Sequence, residues 1–260
     1  MGVRALFEGI LTNLVAALPL LLVGLLSGWV SRYVFERHAI RRSLGFPHER
    51  IHIVLATPLY ITPGTNRPKR SPGVPMATIG TVFAYQHVVN LLLRGYPGMR
   101  KVSLYFSDDF PPSFYEDNLI LIGFPQTNRV TRSVMARLAL PIQFDDHVLV
   151  ERETSRSFCA RVESGSITED YGCLVRARNP FNPRSIVYIL AGSQTYGMKA
   201  AAEYLDSVTR GRATLQTIAR GGRIHQGARP PLGPEYQVIV RVLVEKYFTS
   251  SLEVVASYAL

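Results

Sequence analysis

After residue 50 the chain alternates short apolar runs with amphipathic stretches, and this alternation constrains its fold more than any other feature. IHIVLA (51–56), KVSLYF (101–106), NLILIG (118–123), GCLVRAR (172–178) and SIVYILAG (185–192) have strand length and are rich in β-branched residues. Residues 76–94, MATIGTVFAYQHVVNLLLR, carry helical periodicity and end at G-Y-P-G; SQTYGMKAAAEYLDSV carries it again. A further helix is predicted from about Thr127 to Leu138, capped by Thr127 or Asn128. PIQFDD (141–146) reads as a short strand, and residues 148–164 show no clear period. VIVRVLVEKYF and SLEVVASYAL, parted by Thr249 to Ser251, read as a closing antiparallel hairpin. The prediction is an α/β domain over residues 51–260: a Rossmann-like, mostly parallel sheet with a C-terminal antiparallel hairpin.

A second feature precedes that domain. From Ile10 to Val30 the chain runs for 21 residues without a charge, enough helix to cross a hydrocarbon core of roughly 30 Å. The long apolar stretch, the single Arg4 before it and the lack of an A-x-A site favour a retained transmembrane helix over a cleaved signal peptide. Residues 1–31 are thus predicted as a membrane helix and residues 32–50 as a basic juxtamembrane linker. Arg32, Arg37, Arg41, Arg42 and Arg50 outnumber Glu36 and Glu49 there, which orients the domain to the cytoplasm, with Trp29 and Tyr33 at the interface. The expected location is the inner (cell) membrane, single-pass. Asn13, Ala17, Gly24 and Gly28 share one helical stripe that includes a G-x-x-x-G, so this face is expected to associate in a homo-oligomer; frequent glycine in membrane helices is the plainer reading.

The formal net charge of +10 lies wholly after residue 30, because Arg4 and Glu8 cancel. Of 29 basic residues 25 are arginine, which suits phosphate recognition or a membrane surface, while no nucleic-acid-binding motif accompanies them. Two cysteines and the absence of paired ligand spacings argue against a disulfide scaffold or a metal site, and no cofactor is implied.

In an open parallel sheet, ligands sit at the carboxyl ends of the strands. Two strand-to-helix loops qualify. The first holds Gly123, Gln126, Thr127, Asn128 and Arg129; the second is Gly192, Ser193, Gln194, Thr195, Tyr196 and Gly197. Amides at such helix starts suit a phosphate or carboxylate, although small polar residues are also what a cap requires. Between them, the prolines of N-P-F-N-P would present Asn179 and Asn182 at fixed angles, for a base edge or ribose hydroxyl, or merely as Asx turns. Cleavage of an N-glycosidic bond would need a carboxylate to stabilise the oxocarbenium-like state, and Glu203 and Asp108 are the candidates.

The succession NLILIGFPQTNRVTRSVM, DYGCLVRARNPFNP and SIVYILAGSQTYGMKAAAEYL resembles Rossmann-like modules of prokaryotic signalling and anti-phage defence, of the TIR, SLOG and deoxyribosyltransferase-like kinds. The resemblance covers about residues 50–206. It implies binding of a nucleotide-derived second messenger, or cleavage of an N-glycosidic bond. Fused to a membrane helix, such a module implies an effector in which a small anionic ligand controls oligomeric transmembrane helices and so disrupts the membrane. A membrane-tethered nucleotide or NAD glycohydrolase is the alternative, and a non-catalytic envelope scaffold a third.

Overall fold

The computed structural model describes residues 26–47, 50–57, 60–61, 68–69, 78–97, 102–209, 234–246 and 248–260. Helix α1 occupies residues 26–44. Strand β1 (Ile51–Leu55) and the two-residue strands β2 (Tyr60–Ile61) and β3 (Pro68–Lys69) precede helix α2 (Ile79–Gly95). Strand β4 (Val102–Phe106) runs into two 3-10 turns, and β5 (Asn118–Ile122) leads to helix α3 (Arg129–Met135). Strands β6 (Ile142–Asp145), β7 (Val148–Glu151), β8 (Ser157–Phe158) and β9 (Arg161–Glu163) follow. The long pair β10 (Ser166–Asn179) and β11 (Asn182–Gly192) comes next, then helix α4 (Thr195–Thr209) and the hairpin β12 (Tyr236–Glu245) and β13 (Phe248–Ala259).

The main sheet has the order β13-β12-β10-β11-β5-β1-β4, with β9 pairing β10 outside this path. One half is parallel: β1 pairs both β4 and β5, and β11 pairs β5. The other half is antiparallel, β11-β10-β12-β13, and the remaining ladders of the described residues are antiparallel too. The mostly parallel, Rossmann-like sheet predicted from the sequence is therefore corrected to a mixed α/β fold with a mostly antiparallel sheet. The reason is chain length. Parallel neighbours need a crossover of a dozen residues or more, and only Pro180 and Phe181 separate β10 from β11. Residues 148–164, which lack a period, supply the short strands β7, β8 and β9.

Two apolar layers cover the sheet. On one face Ile53, Leu55, Ile120, Ile122, Tyr188 and Leu190 pack under α2, α4 and the end of α1. On the other, Leu119, Leu121, Val187, Ile189 and Ile239 pack against α3 and the small sheet of β6, β7 and β8. Every residue of β5 is buried, as expected of a central strand with both faces covered. Each fully buried aliphatic side chain contributes roughly 1.5–3 kcal/mol.

The membrane placement is also corrected. Among the described residues no helix is long and apolar enough to cross a membrane, which does not support the predicted single-pass placement in the inner membrane; residues 10–25 of the predicted span lie outside the described residues. The second half of α1 is amphipathic: Arg32, Glu36, Arg37, Arg41 and Arg42 interrupt it, and Ile40 and Leu44 are buried in the core of the domain. Gly95 of α2 lets that helix approach, since a Cβ there would stand 2.5 Å from Ile40 Cγ2. Asn13, Ala17 and Gly24 lie outside the described residues; Gly28 is on α1, with nothing within 4 Å of an added Cβ.

Candidate functional site

The carboxyl ends of β1 and β5 open where the chain departs to opposite faces of the sheet, α2 following β1 on one side and α3 following β5 on the other. Such a divergence is where sheets of this kind usually open a crevice for a ligand. The loop after β5 carries it. Gly123 turns with φ +126, a conformation that side chains disfavour, and an added Cβ would meet Ala56 Cβ at 2.6 Å. Its amide donates to Leu190 O at 2.9 Å, and Thr57 N donates to Thr127 O at 3.0 Å, so the loop is tied to strands on both sides.

Asn128 holds this loop rather than facing a ligand. It is fully buried; its Oδ1 accepts from Val130 N and Thr131 N, both at 3.0 Å, and its Nδ2 donates to Val54 O and Ile122 O. Asn128→Ala removes a helix cap and leaves buried carbonyls unpaired, for a loss of about 3 kcal/mol in urea unfolding. Gln126 donates to Asp146 O at 2.8 Å, while its buried Oε1 has no partner among the described residues. Thr127 Oγ1 donates to Phe124 O at 3.3 Å.

Arg129 and Arg132 stand over the loop. Arg129 donates from Nε to Ser107 O at 2.6 Å and from Nη2 to Asp108 O at 2.7 Å. Arg132 donates to Pro125 O and Gln126 O at 2.9 and 3.1 Å. All four acceptors are neutral carbonyls. Arg129 opens α3, whose first turn contains no acid, against the preference of a helix start for negative charge, while Arg132 lies in its last turn. Arg132 was not singled out by the sequence reasoning, although the R-x-x-R spacing places it one turn from Arg129. The Thr57 hydroxyl, 3.0 Å from that of Ser107, adds a polar group at the adjoining strand ends.

The second predicted loop meets at the same end of the sheet but is satisfied from within. Asp170 of β10 is completely buried, and its Oδ1 accepts from Gln194 N at 3.0 Å and Tyr171 N at 2.7 Å. Its Oδ2 accepts from Gly197 N at 2.6 Å. The chain's own carboxylate therefore occupies the start of α4, where an external anion was expected. Burial pushes the Asp170 carboxyl up to about 6, against the pull of backbone donors at Gly197, Tyr171, Gln194 and Tyr196. Gly192 and Gly197 allow α4 to cross the strands: Cβ atoms there would lie 2.3 Å from Met198 N and 2.0 Å from Tyr171 O. Ser193 Oγ donates to His147 O and accepts from Ala160 N. Thr195 contributes its carbonyl to the crossing with α2, 2.4 Å from where a Cβ of Gly80 would be. Tyr196 is half-buried at the same helix start.

Asn179 and Asn182 lie at the other end of the sheet. Strand β11 begins at Asn182 and ends at Gly192, a rise of roughly 33 Å at about 3.3 Å per residue. Asn179 Nδ2 donates to Tyr115 O and Asp117 O, and its Oδ1 accepts from Phe181 N. Asn182 donates to Glu116 O and Ser185 Oγ and accepts from Arg184 N. The structure thus gathers two of the three predicted loops and assigns the third to turn formation. Nor are the candidate catalytic carboxylates together: Asp108 lies in the turn beside α3, whereas Glu203 faces Lys199 at 3.4 Å and His87 at 3.8 Å between α4 and α2, across the sheet. No family model and no curated protein matches this sequence. The chemistry of the site is then what speaks for a function.

Proposed function

We propose that this domain binds a small phosphate-bearing ligand of the nucleotide type in the crevice at the ends of β1 and β5, and that it acts as a sensor without catalysing a reaction. The carrying observation is the pair Arg129 and Arg132, both held by neutral carbonyls of the loops beside these strand ends, with Arg129 at a helix start that already carries partial positive charge. Such an arrangement is costly by itself and is relieved by an anion, and departures from local rules concentrate at functional sites. Guanidinium groups held in place by Nε and one Nη bond keep further donors for phosphate oxygens. The separation of Asp108 and Glu203 by the sheet favours binding over glycosidic cleavage, which needs its carboxylate at the ligand.

A thermal-shift screen of the full chain against NAD, ATP, cyclic mononucleotides and cyclic dinucleotides tests this reading. At least one is expected to raise Tm, with no base released into solution, and Arg129→Gln is expected to weaken that ligand at least tenfold. Stabilisation by none of them would refute the sensor reading; release of free base would replace it with hydrolysis.

A further inference from the structure

At the opposite end of the sheet from the crevice, the sequence places arginines at alternate positions of one strand. Arg176 and Arg178 of β10 point to the same face, and Arg184 lies on β11 in phase with Ile186 and Tyr188, their cross-strand partners. This is the face covered by helices, and the cover stops there at Gly45, just past α1. A cavity of about 240 Å³ results, lined by Arg176, Arg178 and Arg184 together with Gly45, Pro183 and Glu235.

The guanidinium of Arg176 is built in. Its Nε donates to Tyr188 Oη at 2.8 Å, and that fully buried tyrosine donates in turn toward Ser43 O at 3.3 Å and Leu44 O at 3.1 Å. Gly45 has φ +64, and an added Cβ would lie 2.6 Å from Arg176 Nη2, so a glycine is needed both for the turn and for the guanidinium's place. Arg178 is paired with Glu235, Nε to Oε1 at 3.1 Å. Neither Arg176 nor Arg184 has a carboxylate partner among the described residues. The carbonyl end of α1 offsets about half a charge, and Glu235 offsets one more. Among the described residues, three guanidinium groups exceed that sum.

We propose that this cavity is a separate site for a phosphate or diphosphate group. Arginine is the side chain best shaped for phosphate oxygens, because its planar fork gives two parallel charge-assisted hydrogen bonds. The volume lies below the roughly 300–1,000 Å³ that enclose a drug-sized ligand, which selects the charged group itself over a whole nucleotide. The site is independent of the crevice, being separated from it by the length of β11. A free oxyanion and the diphosphate of a nucleotide share this chemistry, and the two are told apart by comparing inorganic pyrophosphate with ADP.

The test uses the full chain carrying Arg129→Gln and Arg132→Gln, so that the crevice is silenced, and titrates it calorimetrically with each probe. Pyrophosphate is expected to bind at one site, with affinity falling at least tenfold in Arg184→Gln, whose exposed side chain can be changed without loss of fold, and further in Arg176→Gln. Equal affinity for ADP would assign the source to nucleotides, and weaker ADP binding to the free anion; both support the site. Absence of pyrophosphate binding, or binding unchanged by Arg184→Gln, would overturn it.

Discussion

Gly197→Ala is expected to destabilise the domain by more than about 4 kcal/mol, a large part of the roughly 5–15 kcal/mol that holds a domain of this kind folded. The new Cβ would stand 2.0 Å from Tyr171 O and 2.5 Å from its carbonyl carbon. Neither backbone has room to yield. Strand β10 is fastened by β11 on one side and β12 on the other, and Tyr171 O also accepts from Ser193 N at 2.8 Å. On the helix side, Gly197 N is committed to Asp170. Urea unfolding followed by circular dichroism measures the effect, with Gly28→Ala as control. Because an added Cβ at Gly28 meets nothing within 4 Å, the control is expected to change stability by less than about 1 kcal/mol. A loss below about 1 kcal/mol at Gly197 would contradict the observed crossing of α4 over β10.

Asp170 gives the second large effect, in the pH dependence of stability. Its carboxyl titrates near 6 in the folded chain against an ordinary 3.8, because burial disfavours the charge. A raised pKa means that the folded state holds the proton more tightly than the unfolded one. The stability it contributes is therefore full below about pH 4 and is lost as pH rises through about 6, by roughly 3 kcal/mol. Asp170→Asn removes that titration while keeping one acceptor for the start of α4. Unfolding free energies of parent and variant, measured from pH 4 to pH 7, should differ by an amount that changes by about 3 kcal/mol over the range. Parallel curves would show that this carboxyl is not buried as described.

These two residues also show what was legible in the sequence. Helices α2, α3 and α4, the apolar strand β5 and the hairpin β12–β13 announce themselves by period, and α3 also by its cap Asn128. The direction of β10 does not follow from period, because parallel and antiparallel strands share it; the two-residue connection at Pro180 and Phe181 carries that information. Residues 10–25 of the uncharged run lie outside the described residues, and where the run is described Leu26, Trp29 and Val30 are exposed, whereas Ile40 and Leu44 further along the same helix are buried in the domain.

The site divides in the same way. Gly123 and Arg129 were legible as a strand-to-helix loop with a cation. Gly192 and Gly197 carry the same letters for a different reason, since a glycine needed for a close helix crossing and one needed for a ligand look alike in a single chain. Asp170 was invisible because it sits within the mixed polar stretch T-E-D-Y, and only the fold turns it toward α4. Arg176 and Arg178 could have been found: two cations at alternate positions of an apolar strand mark one face with charge.

The most direct test of the account is a paired calorimetric titration of the parent chain and of Arg129→Gln/Arg132→Gln with the nucleotide that raises Tm most. The account predicts saturable one-site binding in the crevice for the parent, and affinity reduced at least a hundredfold in the double variant, with a circular dichroism spectrum like the parent's. Equal affinity in the two proteins would contradict the assignment of ligand binding to this end of the sheet.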